Sequence, residues 1–262
     1  MTLIFRAAAA AALLASLVQP ASAQWQGGVG LSARYQTNTE FDQTGRQLVR
    51  EEGWLPGISA RVAYKANELI WFTEGVIHDR SIPYHGQTQI GGAVDSTTST
   101  RLIHLRAGGA YALTDSYSAF AALEWEKWAR DIRGTHTAAG LQEKYTSRRM
   151  LAGVQGKWNL AGAGVIAADA AVVISEPERL RVGFSGLLDP AALETKWSKG
   201  LQVGASIRPA FIPHWELRTA YDWIRVERSD DMPVTRNGQF MGTIAQPEHV
   251  KRGVTLTALY IF

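Results

Sequence analysis

Apolar and polar positions alternate with a period of two along most of this chain, and the final segment shows it best. Counting back from Phe262, every second residue is apolar or aromatic: Tyr260, Ala258, Leu256 and Val254. A segment of roughly ten residues with this pattern suits a strand that crosses a bilayer, because successive side chains face lipid and lumen in turn. The same template predicts ten strands. They run over Trp25–Tyr35, Trp54–Lys65, Leu69–Arg80, Thr100–Leu113, Tyr117–Ile132, Tyr145–Trp158, Gly164–Ser175, Trp197–Phe211, Trp215–Arg228 and Lys251–Phe262. The connections alternate between short (around Asn67, Asp115, Ala161 and Pro213) and long (36–53, 81–99, 133–144, 176–196 and 229–250). Tight turns at one end and long loops at the other are the rhythm of a closed barrel in a membrane. The expected fold is all-β, a ten-stranded antiparallel transmembrane β-barrel over residues 24–262.

Parity then assigns the faces. On the fifth strand Ala119, Ala121, Leu123 and Trp125 face lipid, while Ser118, Phe120, Ala122, Glu124, Glu126, Trp128 and Arg130 face inward. On the ninth, Trp215, Leu217, Tyr221 and Trp223 face out, and Glu216, Arg218 and Asp222 face in. The same logic turns Arg34, Arg61, Glu74, His78, His104, Arg106, Arg149, Gln155, Asp169 and Arg208 to the lumen. A charge at mid-bilayer on the lipid face costs roughly 2–4 kcal/mol, so charges collect inside. Ten strands leave little bore, and long Arg, Glu and Trp side chains are expected to interlock there. The candidate lumen network is Glu74, Arg106, Glu124, Glu126, Arg130, Arg149 and Asp222, with Glu124, Glu126, Arg106 and Arg149 joined across three adjacent strands.

The two chain ends add a location. Met1–Arg6, the apolar run Ala7–Val18 and the small-residue site Ala21-Ser22-Ala23 have the form of a signal peptide, residues 1–23, which predicts a mature chain from Gln24. No later run approaches the roughly 20 apolar residues of a spanning helix, so spanning falls to strands. The terminal aromatic Phe262, with Tyr260 two before it, resembles the assembly signal of bacterial outer-membrane β-barrel proteins. That resemblance implies outer-membrane localisation, handling by a barrel-assembly machinery, and contact with outer-membrane lipids and lipopolysaccharide. Cations at outer strand ends, among them Arg101, Arg130, Arg133, Lys144, Arg148 and Lys251, suit lipopolysaccharide phosphates. Loss of residues 1–23 removes only Arg6 of the 27 basic residues against 24 acidic ones, so no basic excess marks a nucleic-acid binder. The chain has no cysteine.

Candidate chemistry is sparse. In Leu188-Asp189-Pro190-Ala191-Ala192-Leu193-Glu194, Asp189 could cap a short helix starting at Pro190, stapled by Leu188 and Leu193. Ten strands, a leader and long outer loops resemble the omptins, outer-membrane endopeptidases that activate water with a pair of aspartates facing an Asp–His pair at the outer rim. The resemblance covers topology and not motifs. His78 and Asp79 are adjacent on a strand and so face opposite ways, Asp95 stands alone, and Asp230-Asp231 opens the last loop. The lipid A-modifying barrel enzymes need a nucleophile beside a histidine base, and no His-x-Ser strand motif is present; His85, His136 and His249 fall in loops. No metal-ligand spacing and no cofactor motif is found. The expectation is therefore a monomeric, porin-like barrel that is not an enzyme, with a narrow charged lumen serving restricted small-solute passage or a structural or surface-interaction role. An omptin-like endopeptidase or lipid A-modifying enzyme at the extracellular rim is the alternative.

Overall fold

The computed structural model describes residues 24–87 and 91–262, and the expected signal peptide, residues 1–23, lies outside the described residues. Ten strands close an antiparallel barrel: β1 (Gln24–Phe41), β2 (Gln47–Ala66), β3 (Leu69–Gln87), β4 (Ala93–Ala112), β5 (Tyr117–Ile132), β6 (Leu141–Leu160), β7 (Gly164–Ser175), β10 (Ser198–Pro209), β11 (Trp215–Val226) and β14 (Glu248–Ile261). Two hairpins, β8 (Arg179–Gly183) with β9 (Ala191–Glu194) and β12 (Met232–Arg236) with β13 (Gln239–Ile244), occupy the last two long connections. Each barrel strand pairs with its sequence neighbour in the barrel, and β1 pairs with β14 from Gly28↔Ile261 to Phe41↔Glu248. The seam is fastened at its end by Gly27 N–H donating to Phe262 O (3.1 Å) and Phe262 N–H donating to Gly27 O (3.0 Å).

Local chemistry explains the tight end. Asn67 turns the β2–β3 hairpin at φ 53°, a left-handed conformation Asn tolerates, and Gly162 turns β6–β7 at φ 74°. By the usual arrangement of this fold these turns face the periplasm. The outward face between the two ends carries an apolar belt that includes Val29, Leu31, Ile58, Leu105, Leu123, Val154, Leu201 and Leu256, all exposed on the bare protein. Aromatic girdles bound the belt. Trp25–Tyr64, Tyr117–Trp158 and Trp215–Tyr260 pair at the turn end, and Tyr35–Trp54 pairs at the other. From Trp25 to Tyr35 is ten residues, and a strand tilted about 40° rises roughly 26 Å over that length, which matches the hydrocarbon band. The fold and this belt make the chain an integral outer-membrane barrel.

The strands reach further outward than the alternation predicts. β1 continues six residues past Tyr35, and β2, β3 and β4 extend beside it. Above the girdle both faces of β1 are polar, Gln36, Asn38 and Glu40 inward and Thr37 and Thr39 outward, so the period-two contrast that marks a strand in lipid is gone. Much of what reads as the loops 36–53 and 81–99 is therefore sheet.

The expected helix at Leu188–Glu194 is also corrected. Ala191–Glu194 is strand β9, paired to β8. Asp189 does not cap the segment that follows it; its carboxylate accepts from Thr235 Oγ1 (2.6 Å), Gly238 N–H (3.0 Å) and Asn237 N–H (3.2 Å), tying this loop to the β12–β13 turn.

Candidate functional site: a lumen closed above and hollow below

Most inward side chains lie on strands whose parity points them at the axis, and two glycines let long side chains reach over an intervening strand. Gly57 sits between Ser32 and His78 in one row of β1, β2 and β3. The His78 ring lies over it to place Nε2 3.0 Å from Ser32 Oγ, and a Cβ at Gly57 would come within 2.6 Å of that ring. Gly253 does the same for Arg34. Its guanidinium crosses β14 to hold Asp222 on β11 bidentately at 2.6 and 2.8 Å, and a Cβ at residue 253 would stand 2.1 Å from Arg34 Cζ. A bidentate Arg–carboxylate pair fixes distance and angle together, which pins three strands.

Midway along the axis lies a cage of six charges, Arg106, Arg149 and Lys251 against Glu124, Glu126 and Glu178. Arg149 donates to Glu124 (3.0 Å) and to both oxygens of Glu126 (2.7 and 2.9 Å). Arg106 donates to the other oxygen of Glu124 (2.6 Å), and His104 Nε2 stands 3.2 Å from Glu126. Lys251 closes the cage from β14, donating to both oxygens of Glu178 (2.7 and 3.0 Å). Glu178 has no exposed surface and also accepts from Ser147 Oγ (2.7 Å), with His249 Nε2 3.4 Å away.

Glu178, His249 and Lys251 were outside the network read from the sequence. Glu178 follows Pro177 in a stretch read as outer loop. In the structure, residues 176–178 break the line between β7 and β8, which pair in succession with β6, and tuck Glu178 into the bore. Lys251 was expected among the cations facing lipopolysaccharide, and Arg130 was placed both there and, by parity, in the lumen network. Both are buried inside, so for Arg130 the lumen placement holds; for Lys251 the correction follows from parity, since with Val254 outward residue 251 must point in.

The outer third is packed shut. Arg130 meets Glu143 (2.6 Å), Glu51 (2.9 Å) and Glu40 (3.0 Å), with Thr98 Oγ1 donating to Glu51 (2.7 Å). Below it the Trp128 and Tyr145 rings stack at 4.9 Å, and the Arg130 guanidinium and Lys251 ammonium each lie over the Trp128 ring, 4.9 Å from its centroid. Leu102, Leu180, Val182 and Leu193 complete an apolar cluster around this stack, so the β8–β9 hairpin supplies half of the stopper.

The turn-side half is hollow. A cavity of about 310 Å³ extends from Gln26 and Lys157, exposed at the turn end, up to His78, His104 and Arg149. Glu74 accepts from Arg218 there (2.9 Å), and Arg208 donates to Glu216 (2.9 Å). At the seam below, Tyr260 packs between Trp215 and His214, and the Phe262 ring covers Gly27.

One acid–base pair stands elsewhere. His85 Nδ1 lies 2.7 Å from Asp95 Oδ1 on the outward face of the β3–β4 extension, beside Arg50 and Glu52, with both members exposed. Among the described residues no group of three or more His, Asp or Glu side chains is placed to hold a metal ion.

No family model and no curated protein matches the chain. Solved structures do. The outer-membrane protease OmpT from Escherichia coli superposes with a TM-score of 0.58 at 11% identity, over 94% of this chain and 99% of that one. The translocator domain of the autotransporter NalP from Neisseria meningitidis gives 0.47 at 10% identity, over 98% and 94%. At 11% identity the likeness to OmpT is one of fold alone: the chain is built as a small outer-membrane β-barrel.

Proposed function

We propose that this protein is a sealed barrel and not a resting pore, acting as a rigid outer-membrane scaffold that presents its extracellular strand extensions and hairpins to partners or lipopolysaccharide. The observation that carries this is the stopper: Trp128, Tyr145, Leu180 and Leu193 fill the bore just below three carboxylates gathered on Arg130. A hydrated ion would have to displace apolar packing and break charge-assisted bonds to pass. Exposed cations on the outer wall and loops, such as Arg133, Lys144 and Arg148, are free of the cage and suit anionic headgroups. The planar-bilayer experiment tests the scaffold reading. The parent is expected to give no stable conductance steps, and trimming Trp128 and Tyr145 together to Ala is expected to produce them. Steady channels from the parent would overturn it.

A rim enzyme is the competing reading, and the observation that favours it is the His85–Asp95 pair. An Asp–His pair can serve as a general base. Here it points away from the barrel axis, so a substrate would have to approach along the outer wall. Peptide or lipid A turnover by the parent, abolished by Asp95→Asn, would establish that reading in place of the scaffold.

A further inference from the structure

We infer that the turn-side cavity is a binding site for a small amphiphilic anion, a carboxylate or phosphate monoester on a short apolar body, entering from the periplasmic end. The inference goes beyond the scaffold reading and does not need the outer stopper to hold.

Charge balance in the cavity comes first. Three guanidiniums, from Arg61 on β2, Arg208 on β10 and Arg218 on β11, converge on the single carboxylate of Glu216. Arg208 is bonded to it at 2.9 Å, while Arg218 and Arg61 stand off at 3.6 and 3.7 Å. Arg218 has a second partner in Glu74. The Arg61 guanidinium makes no side-chain hydrogen bond among the described residues, only the 3.7 Å ion pair, although an arginine side chain offers five donors. This arrangement leaves donor capacity and positive charge facing the hollow. Arg34 and Arg106 on the same walls differ, each being bonded closely to its own carboxylate.

The opposite arc, from β3 through β7, presents Ile70, Phe72, Ala110, Phe120 and Val165 to the same space. One side of the cavity is thus basic, and the turn-side part of the other is largely apolar, with Glu74, Lys157 and Asp169 as charged groups along the same arc. A bare inorganic anion would leave the apolar arc wet, and an uncharged hydrophobe would leave the guanidiniums unpaired and desolvated. A ligand with both parts satisfies both walls, and about 310 Å³ is at the lower end of the range for small-molecule sites. Entry is available at the turn end, where Gln26 and Lys157 are exposed. The upper end stops at His78, His104 and Arg149.

Asp169 supplies a test of sign. It lines the same cavity, where Gly204 makes room for its carboxylate, and it has no ion-pair partner within 4.0 Å among the described residues. An anionic ligand is repelled by it and a cationic one attracted.

The full barrel in zwitterionic nanodiscs, titrated calorimetrically, should bind benzoate or octanoate saturably, and at least tenfold more tightly than benzyl alcohol or inorganic phosphate. Preference between the two carboxylates separates an aromatic source from an acyl one. Arg61→Ala with Arg208→Ala should weaken binding tenfold or more, Asp169→Asn should tighten it severalfold, and Arg50→Ala on the outer wall should leave it unchanged. Heat-modifiable mobility on gels checks that each variant is folded. Because Asp169→Asn predicts a gain, a misfolded arginine variant cannot decide the matter. Equal binding of benzyl alcohol, no saturable binding of either carboxylate, or weaker binding by Asp169→Asn would each overturn the proposal. Conductance by the parent would overturn the scaffold reading alone.

Discussion

Above Arg149, one arginine faces the three carboxylates Glu40, Glu51 and Glu143; below it, three arginines share Glu216. The upper half is acid-rich, apolar-packed and closed, and the lower half is base-rich and hollow. The same strands build both, with the same inward parity, so barrel topology alone does not decide whether a lumen is filled. The upper half is filled because the β8–β9 hairpin folds back over it with Leu180 and Leu193, and because Trp128 and Tyr145 occupy adjacent inward positions on β5 and β6. In the lower half β7, β10 and β11 place small inward residues, Ala167, Ser206 and Ala220, beside the charged Asp169, Arg208, Glu216 and Arg218, and the volume the small ones leave forms part of the cavity.

The largest contrast should appear in stability. Arg130→Met would leave three buried carboxylates without their cation, and breaking such a group costs roughly 3–5 kcal/mol. Arg218→Met removes a side chain that is 25% exposed to the hollow, where water can take over, so its loss should cost only about 1 kcal/mol. Urea titrations of the two variants folded into liposomes measure the difference. Equal midpoints would mean that the two halves are equally hydrated.

Deleting Phe262 probes the lower seam, where its main chain makes both closing hydrogen bonds with Gly27 and its ring covers that glycine. The yield of heat-modifiable barrel in outer membranes should fall severalfold with synthesis unchanged; an unaltered yield would remove any assembly role from this residue. Gly253→Ala addresses the boundary between the halves. The new methyl would collide with the Arg34 guanidinium and push it off Asp222, and overpacking of this kind costs roughly 1–3 kcal/mol. Gly253→Ala combined with Arg34→Ala should recover part of that loss, and no recovery would show that the strain lies elsewhere.

What the sequence disclosed and what it hid follow from the range of the forces involved. Inward residues such as Glu124, Arg149 and Asp222 were legible because parity on a strand in lipid is enforced by the cost of a charge facing hydrocarbon. The strand extensions were not, since above the girdle Gln36 through Glu40 are polar on both faces and water tolerates either register. Glu178 was hidden by Pro177, which reads as loop, and its burial depends on Lys251 and Ser147 from distant strands. Asp189 misled for the same reason, since its hydrogen-bond donors come from residues 46 to 49 positions away and not from the segment after it.

That contact gives the smallest effect and the one most sensitive to pH. The Asp189 carboxylate is held below the usual aspartate range by the Thr235 hydroxyl first and then by the Gly238 and Asn237 N–H groups, all of which favour the charged form. A carboxylate lowered in the docked state contributes its full stabilisation above the ordinary aspartate value of about 3.9. The contribution is lost as pH falls through the lowered value. The β12–β13 hairpin should therefore stay against the β8–β9 loop from neutral pH to about 4 and separate below that. Spin labels at Leu187→Cys and Phe240→Cys, both exposed, would report the distance between the two loops. It should lengthen or broaden on acidification in the parent, whereas in Asp189→Asn it should be broader at neutral pH and change little with acid. A distance that is unmoved by acid in the parent, or that responds identically in Asp189→Asn, would show that this carboxylate does not hold the extracellular hairpins together.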